Sequence, residues 1–373
     1  MPGDCLTIFS GLVFTFFDRY SILNNVRTKK WESVTPLTEQ SCFMLKFGLL
    51  GAGRIGHVHA KTLSASLDAS LEVVFDVRKD AAESLAAQYG GRGVSDENEI
   101  WDNPDIDAVI IGSPTPMHVP HIIAAAKSGK AALCEKPVAM ETAKVVELRE
   151  ALKGLDPTVM LGFNRRFDPS FARVKELMDK GEVGKVEQVT IISRDPAAPP
   201  TDYIKVSGGI FKDMTIHDFD MARFLLGDID TVTTIPQNLD SEIAACNDYD
   251  AAVIVLTAKS GAVATIINNR HCATGYDQRL EVTGHDGQLN ADNQRPTTVS
   301  LSKENYSLSR EPYLDFFLTR YADAYAAELN HFISIVKEGG KPTPSIEDGA
   351  QALLLAEAAE KSAREQRPVK VEI

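Results

Sequence analysis

The sequence has few cysteines, a deficit of basic residues and no apolar run of membrane-spanning length. Its five cysteines are scattered over 373 residues without a Cys-x-x-Cys pair, which excludes a disulfide framework and a zinc ribbon and favours the cytoplasm. The net charge of −13 disfavours nucleic acid and anionic lipid as partners. The apolar run Leu6–Phe17 is shorter than the about 20 residues that a transmembrane helix needs, so no membrane partner is expected.

Residues 1–43 differ from the rest of the chain. No basic segment precedes their apolar run, and acidic residues balance the basic ones, so neither a secretory signal nor a transit peptide is well supported. Chain termini tolerate such additions. We therefore predict that residues 1–43 are an extension, either an atypical start or a disordered segment, and that the folded protein begins at Met44.

Strand and helix patterns alternate along residues 44–165. Short apolar runs that end at Gly, Pro or Asp are typical of buried strands, and the amphipathic segments between them are typical of helices. The predicted strands are Lys46–Leu50, Leu71–Phe75, Ala108–Ile111 and Ala131–Cys134, and the predicted helices are 57–67, Ala81–Tyr89, Val119–Lys127 and Met140–Lys153. This alternation predicts an α/β domain of the Rossmann type, with a doubly wound parallel sheet.

The pattern changes after Phe163. Alternating apolar runs over residues 249–300, separated by Gly and Asn/Asp turns, predict an open and mainly antiparallel sheet. Two long helical patterns, Arg320–Lys337 and Asp348–Glu365, follow it. Residues 166–373 are therefore predicted to form a second domain of α+β type.

A glycine-rich loop follows the first predicted strand. Gly51, Gly53 and Gly56 form a G-x-G-x-x-G pattern that opens a helix, and Asp76 ends the next strand. The glycines allow a tight turn and close approach of a pyrophosphate, and the acidic residue accepts hydrogen bonds from a ribose. Asp76 would repel a 2′-phosphate, whereas Arg78 could pair with one. We predict NAD as the cofactor and leave the strictness of NAD over NADP open.

Two further segments carry residues suited to acid–base chemistry. Lys136 follows the fourth strand, at the sheet edge where ligands bind in such folds, and a lysine there can stabilise a developing alkoxide. Asp213 and His217 stand four residues apart, on one face if the segment is helical, and Asp220 follows three residues later. A carboxylate beside an imidazole raises its basicity and orients it as a general base. The histidine pairs elsewhere lack a third ligand, so we predict no metal.

Together these segments resemble the glucose-fructose oxidoreductase, inositol dehydrogenase and MocA family. The resemblance rests on Gly51–Gly56, Ser113–Thr115, Glu135–Pro137 and Gly208–Asp220, and it runs from Met44 to the C-terminus. Gly162–Pro169 and Gly275–Arg279 are most similar to its inositol 2-dehydrogenases.

The resemblance implies a function and a set of site residues. The implied reaction is NAD-dependent oxidation of myo-inositol to 2-keto-myo-inositol (scyllo-inosose) in inositol catabolism, by a homotetramer in which residues 166–373 bind substrate and form the oligomer. The implied catalytic residues are Lys136, which holds the substrate oxygen, His217, which removes the hydroxyl proton, and Asp213, which supports His217. The implied cofactor-binding residues are Gly51, Gly53, Arg54, Ile55, Gly56, Asp76, Ser113, Thr115, His118 and Glu135. The implied substrate-binding residues are Lys136, Asn164, Arg165, Asp213, His217, Asp220 and Tyr276.

Alternatives remain at the level of substrate and activity. Many inositol dehydrogenases carry an aromatic residue where this chain has Thr274, which leaves the preferred stereoisomer open and keeps other inositols and aldoses as candidates. Some relatives bind dinucleotide without turnover and act as regulators. Such proteins would be expected to lack part of the catalytic group, whereas Lys136, Asp213 and His217 are all present here.

Overall fold

The computed structural model describes residues 44–372. The predicted extension over residues 1–43 lies outside this range. The first half contains β1 (Leu45–Leu50), α1 (Arg54–Ser64), β2 (Ala69–Phe75), α2 (Lys79–Tyr89), β3 (Arg92–Val94), α3 (Asn98–Trp101), β4 (Ala108–Ile111), α4 (His118–Lys127), β5 (Ala131–Glu135), α5 (Thr142–Ala151) and β6 (Val159–Gly162). Every strand and helix predicted in this half is present.

The six strands form one parallel sheet in the order β3-β2-β1-β4-β5-β6. All residues of β4, β5 and β6 are buried, because helices cover both faces of the sheet. This confirms the prediction of a doubly wound Rossmann sheet. Its strand order reverses between β1 and β4, and ligands bind at such a switch point, outside the carboxyl ends of the strands.

The second half forms a different sheet. It contains α6 (Pro169–Asp179), β7 (Val186–Arg194), α7 (Thr201–Ser207), a π-helical turn (Phe211–Thr215), α8 (Ile216–Leu226), β8 (Ile229–Gln237), α9 (Ser241–Ala245), β9 (Ala251–Ala258), β10 (Val263–Asn269), β11 (Asp277–Gly284), β12 (Gln288–Ala291), β13 (Ser300–Lys303), β14 (Tyr306–Arg310), α10 (Phe317–Arg320), α11 (Ala322–Glu338), α12 (Ile346–Glu365) and β15 (Val369–Lys370). Seven strands pair in the order β12-β11-β7-β10-β9-β8-β15, all antiparallel except β7 with β10. The predicted mainly antiparallel sheet is confirmed.

Two late helices pack against the parallel sheet. Phe332 of α11 meets Phe47 of β1 edge to face, with ring centroids 6.1 Å apart. Ala352 and Leu353 of α12 belong to the apolar cluster on the other side of that sheet, while Leu355 of α12 belongs to the core of the seven-stranded sheet. Residues beyond 165 therefore contribute to both cores, and the boundary between domains 44–165 and 166–373 stays a prediction.

Within residues 44–372, no helix combines the length and the apolar character that crossing a bilayer requires.

Candidate active site

The glycine-rich loop between β1 and α1 is shaped by close backbone contacts. Gly51 has a positive φ of 102°, and a Cβ there would lie 2.5 Å from the carbonyl oxygen of Gly112. A Cβ at Gly56 would lie 2.1 Å from the carbonyl oxygen of Gly51. Side chains are therefore excluded at both positions.

The remaining glycine of this loop, Gly53, faces open space. No described atom lies within 4 Å of the position that a Gly53 Cβ would take, and no described side chain caps the N-terminus of α1. The free N–H groups and the positive end of the helix dipole suit a pyrophosphate. Arg54 and Ile55 begin the helix, and the Arg54 guanidinium lies 6.0 Å from the centroid of the Phe316 ring. The loop fits a dinucleotide.

Asp76 is fixed beside this loop at the end of β2. Its Oδ2 accepts a hydrogen bond of 2.9 Å from the amide of Ala52, and its Oδ1 accepts one of 2.9 Å from the amide of Arg78. The Arg78 side chain is 68% exposed and directed to solvent, with Nε 3.6 Å from Asp76 Oδ1. A fixed carboxylate here suits the two ribose hydroxyls of NAD.

His118 lies beneath two loops at the carboxyl edge of the parallel sheet. Its Nδ1 is 2.7 Å from the carbonyl oxygen of Pro137, and its Nε2 is 2.9 Å from that of Ser113. Burial lowers the pKa of His118, against the effect of the two carbonyls. Since both ring nitrogens face protein carbonyls, His118 is placed to join the loops, and its predicted cofactor contact is better assigned to the half-buried Ser113 and Thr115 above it.

Glu135 is buried and its carboxylate is bound by protein. Its Oε1 lies 2.7 Å from His59 Nε2, and its Oε2 accepts a bond of 3.3 Å from the amide of Lys136. The Glu135 carboxylate therefore contacts His59 and the Lys136 backbone amide, and its contact with the cofactor stays a prediction.

Lys136 reaches across to the second half of the chain. Its Nζ donates a hydrogen bond of 2.8 Å to the backbone carbonyl of Asp213. Residues 77 positions apart in sequence thus meet at one place, as the prediction of a joint catalytic group requires.

The local geometry around Asp213 and His217 differs from the prediction. Asp213 lies in the π-helical turn, and His217 lies in the first turn of α8. The Asp213 carboxylate accepts bonds from Tyr203 Oη at 2.9 Å and from Arg270 Nη2 at 3.4 Å, and no described residue bonds to His217 Nδ1. Among the described residues, the Asp213 carboxylate and the His217 imidazole are therefore not hydrogen-bonded to each other.

His217 is in an environment that keeps it neutral. Burial holds its pKa well below the ordinary value, and the positive charges of Lys136 and Arg165 act in the same direction. This corrects the expectation that a neighbouring carboxylate raises its basicity. A neutral, buried imidazole with a free nitrogen can still accept a proton.

The predicted substrate residues occupy different environments. Arg165 donates to Asp218 at 2.6 Å and lies 5.6 Å from the Tyr321 ring, beside the buried Asn164. Tyr276 is buried against Tyr321 and Phe316, with ring centroids 6.1 and 5.7 Å away. These residues lie at the junction of the two halves of the chain.

Asp220 forms a buried ion pair with Arg166. Arg166 donates to both of its oxygens, from Nη2 at 2.5 Å and from Nε at 2.8 Å, and Asp220 is only 1% exposed. Because the carboxylate is buried and paired with Arg166, this geometry disfavours the predicted contact between Asp220 and the polyol. Its role is to neutralise a buried arginine.

Three residues of the site were missed by sequence reasoning. Asp195 follows β7, and burial raises its pKa to about 6, with Asp213 acting in the same direction and Arg270 and Arg165 opposing. Tyr203 and Arg270 hold Asp213 from elements that precede and follow it. Only the position of Asp195 directly after a strand was a usable signal. Contacts between residues on distant elements produce no recognisable spacing pattern in the sequence.

Among residues 44–372, no group of three or more His, Cys, Asp or Glu side chains is arranged to hold a metal ion. The described polar groups instead form a site with a lysine donor, a neutral imidazole and several carboxylates. Such a site is suited to removing a proton from a hydroxyl group and stabilising the oxygen that results.

Comparisons with known proteins show which family the chain resembles. Residues 45–163 match the GFO/IDH/MocA family described as "Oxidoreductase family, NAD-binding Rossmann fold", and residues 175–371 match its C-terminal alpha/beta domain. The inositol 2-dehydrogenase of Rhizobium meliloti (strain 1021) is 46% identical over 329 residues, covering 88% of this chain and 99% of that protein. The myo-inositol 2-dehydrogenase of Thermotoga maritima is 46% identical over 331 residues, covering 88% and 99%. The crystal structure of a myo-inositol dehydrogenase from Corynebacterium glutamicum is 45% identical, with a TM-score of 0.86, covering 89% of this chain and 100% of that one.

Proposed function

Because the chain belongs to the GFO/IDH/MocA oxidoreductase family and binds NAD through its Rossmann domain, we propose that it oxidises myo-inositol to 2-keto-myo-inositol (scyllo-inosose). Two relatives at 46% identity bear the names inositol 2-dehydrogenase and myo-inositol 2-dehydrogenase. The observation that carries the proposal is the hydrogen bond of 2.8 Å from Lys136 Nζ to the backbone carbonyl of Asp213, near a neutral His217.

Each residue of this group has a distinct task. Lys136 donates a hydrogen bond to the reacting hydroxyl and stabilises its oxygen as negative charge develops. His217, held neutral by burial, accepts the hydroxyl proton. Asp213 accepts hydrogen bonds from the polyol. When bound, NAD supplies the acceptor for the hydride that leaves the carbinol carbon.

The remaining site residues bind and orient. His118 and Glu135 position the loops of the site. The dinucleotide is bound by Gly51, Gly53, Arg54, Ile55, Gly56, Asp76, Ser113 and Thr115. We assign polyol contacts to Asn164, Arg165, Asp195 and Tyr276, besides the catalytic group. Asp195 is included because it lies among the charged groups around Asp213.

We further propose a cytoplasmic homotetramer. On β9 and β10, Val253, Val263 and Ile267 alternate with core residues and lie on the outer face of the seven-stranded sheet, and Ile235 of β8 is 63% exposed. An apolar sheet face of this kind is suited to burial in a subunit interface. Light scattering of the purified protein would give the mass of the assembly, and a monomer would exclude this arrangement. The three free cysteines of the described residues fit a reducing compartment.

The first test is nicotinamide reduction by the purified chain. Myo-inositol, scyllo-inositol, chiro-inositol and glucose are offered with NAD and then with NADP at mildly alkaline pH. We expect NAD-dependent turnover with the highest kcat/KM for myo-inositol, because contacts to hydroxyl groups discriminate epimers strongly. A preference for another isomer or an aldose would correct the substrate. Tight NAD binding without turnover of any polyol would overturn the proposal and favour a non-catalytic regulator.

A further inference from the structure

Tyr203 is an exposed residue whose hydroxyl reaches into the site. It lies in the first turn of α7, which follows a loop rich in proline and alanine at residues 196–200. The residue is 48% exposed, yet its Oη donates a hydrogen bond of 2.9 Å to Oδ1 of Asp213. A side chain at the surface thus bonds directly to a proposed catalytic carboxylate.

The second oxygen of Asp213 is held from the opposite side. Arg270, which follows β10 and is fully buried, places Nη2 3.4 Å from Asp213 Oδ2 and 3.5 Å from Asp248 Oδ2. Asp248 in turn accepts a bond of 2.9 Å from the amide of Ile210, just before the π-helical turn. The carboxylate is therefore clamped between two elements that are distant in sequence.

This clamp leaves acceptor capacity for a substrate. Each carboxylate oxygen has about two lone-pair sites, so one protein donor on each oxygen leaves one site free on each. The carboxylate is 17% exposed, and no described residue joins it to His217. Its arrangement suits an acceptor for polyol hydroxyl groups.

The charges around Asp213 come from several elements. The titratable and charged groups that face it or its clamp are Tyr203, Arg270, Asp248, Asp195, Lys136 and Arg54. Burial and the charge of Asp213 raise the pKa of Tyr203, so that its phenol stays protonated and remains a donor.

We propose that Tyr203 is a positioning residue of the reaction, which holds the Asp213 carboxylate in place as an acceptor for substrate hydroxyl groups. This inference rests on the proposed function for its kinetic consequences, whereas the bond itself is independent of the substrate. The Tyr203 hydroxyl bonds to Asp213 and to none of the described residues assigned to the dinucleotide, so we expect NAD affinity to be retained.

The kinetic test compares Tyr203→Phe with a matched control. The control is Tyr306→Phe on β14, which removes a hydroxyl from a tyrosine of similar exposure, 45%, without contact to Asp213. For Tyr203→Phe we expect kcat/KM for myo-inositol to fall about tenfold, the rate equivalent of one hydrogen bond to a charged group, with unchanged NAD affinity. The loss should appear mainly as a rise in KM for myo-inositol, because Asp213 is proposed to bind polyol hydroxyl groups in the ground state as well as in the transition state. Identical KM values for myo-inositol in the two variants would overturn the proposal.

A second measurement needs no activity. Thermal unfolding of the full chain is followed for wild type, Tyr203→Phe, Asp213→Ala and the double variant. We expect Tyr203→Phe to lower Tm in the wild-type background and to have a much smaller effect in the Asp213→Ala background, since alanine offers no side-chain acceptor. An equal loss in both backgrounds would overturn the proposed bond. If wild type oxidised no polyol while this coupling was present, the proposed function would fail and the Tyr203–Asp213 bond would stand.

Discussion

The ammonium of Lys136 donates a 2.8 Å hydrogen bond to the backbone carbonyl of Asp213. Lys136 directly follows strand β5 of the parallel sheet, and Asp213 lies in the π-helical turn before α8. This bond therefore joins the two halves of the chain at the site. Lys136 is held on its other side by Glu135, which accepts a bond from its amide. The lysine is thus placed before any substrate arrives.

Replacing Lys136 should chiefly affect the chemical step. For Lys136→Ala we expect kcat to fall by about 10²–10³-fold, the usual cost of losing a donor to a developing oxyanion. NAD affinity, measured by fluorescence titration, should be retained because the glycine-rich loop is untouched. Lys144→Ala, which removes an exposed lysine paired with Glu147 on α5, is the control and should leave kcat unchanged. Loss of NAD affinity with normal kcat in Lys136→Ala would contradict the assigned role.

His217 predicts an unusual pH dependence. Only the neutral imidazole can accept a proton, and burial with the charges of Lys136 and Arg165 lowers its pKa well below 6.5. The neutral form therefore persists to more acidic solution than for an ordinary histidine, and kcat/KM should begin to fall only below about pH 6.5. A profile of kcat/KM against pH checks this, and an acid limb above pH 7 would contradict it. His217→Ala should lower kcat by about 10²–10⁴-fold at pH values where the wild-type imidazole is neutral.

Asp76 should determine the preference for NAD. Asp76→Ala removes both the ribose acceptor and the acceptor for the Ala52 amide. We expect KM for NAD to rise about tenfold or more, the equivalent of a hydrogen bond to a charged group. The ratio of kcat/KM for NADP over NAD should rise as well, because the repulsion of a 2′-phosphate is lost while Arg78 remains. Asp80→Ala, exposed in the first turn of α2, serves as the control; an unaltered KM for NAD in Asp76→Ala would remove Asp76 from the cofactor site.

Glu328 makes stability depend on pH. It is fully buried on α11, neither oxygen has a hydrogen-bond partner among the described residues, and burial together with the charge of Glu135 raises its pKa well above 4.5. Above pH 4.5 the unfolded chain releases a proton that the folded chain keeps, so this group reduces the free energy of unfolding as pH rises. Glutamine cannot release that proton. Glu328→Gln should therefore gain stability relative to wild type with rising pH.

The gain should be small near pH 5 and should reach about 1 kcal/mol or more near pH 8, since each pKa unit corresponds to about 1.4 kcal/mol. Denaturant unfolding at the two pH values measures it. Glu338→Gln, at the exposed end of the same helix, should show no such trend. A loss of stability in Glu328→Gln that grows with pH would mean that the folded protein holds Glu328 as a carboxylate.

The sequence by itself determined the parallel sheet type, the cofactor loop and most elements of the first half, but not β3, α3 or β6. These follow from local chemistry: apolar runs too short for anything but strands, glycines where a Cβ would meet Gly112 or Gly51, and an aspartate at the end of the next strand. Such signals depend on residues close together in the chain. Every strand and helix that they predict for residues 44–165 is found. The resemblance to a known family added the roles of Lys136, Asp213 and His217.

The tertiary structure alone decided how these residues are used. Four-residue spacing suggested that Asp213 supports His217, but Tyr203 and Arg270 arrive from other elements and take both carboxylate oxygens. Likewise, Arg166 pairs with Asp220, for which the family resemblance had implied a substrate contact. Burial then lowers the pKa of His217 and keeps it neutral, an effect that no spacing encodes. The physical reason is that hydrogen bonds and desolvation depend on which distant side chains meet, and only the packed chain settles that.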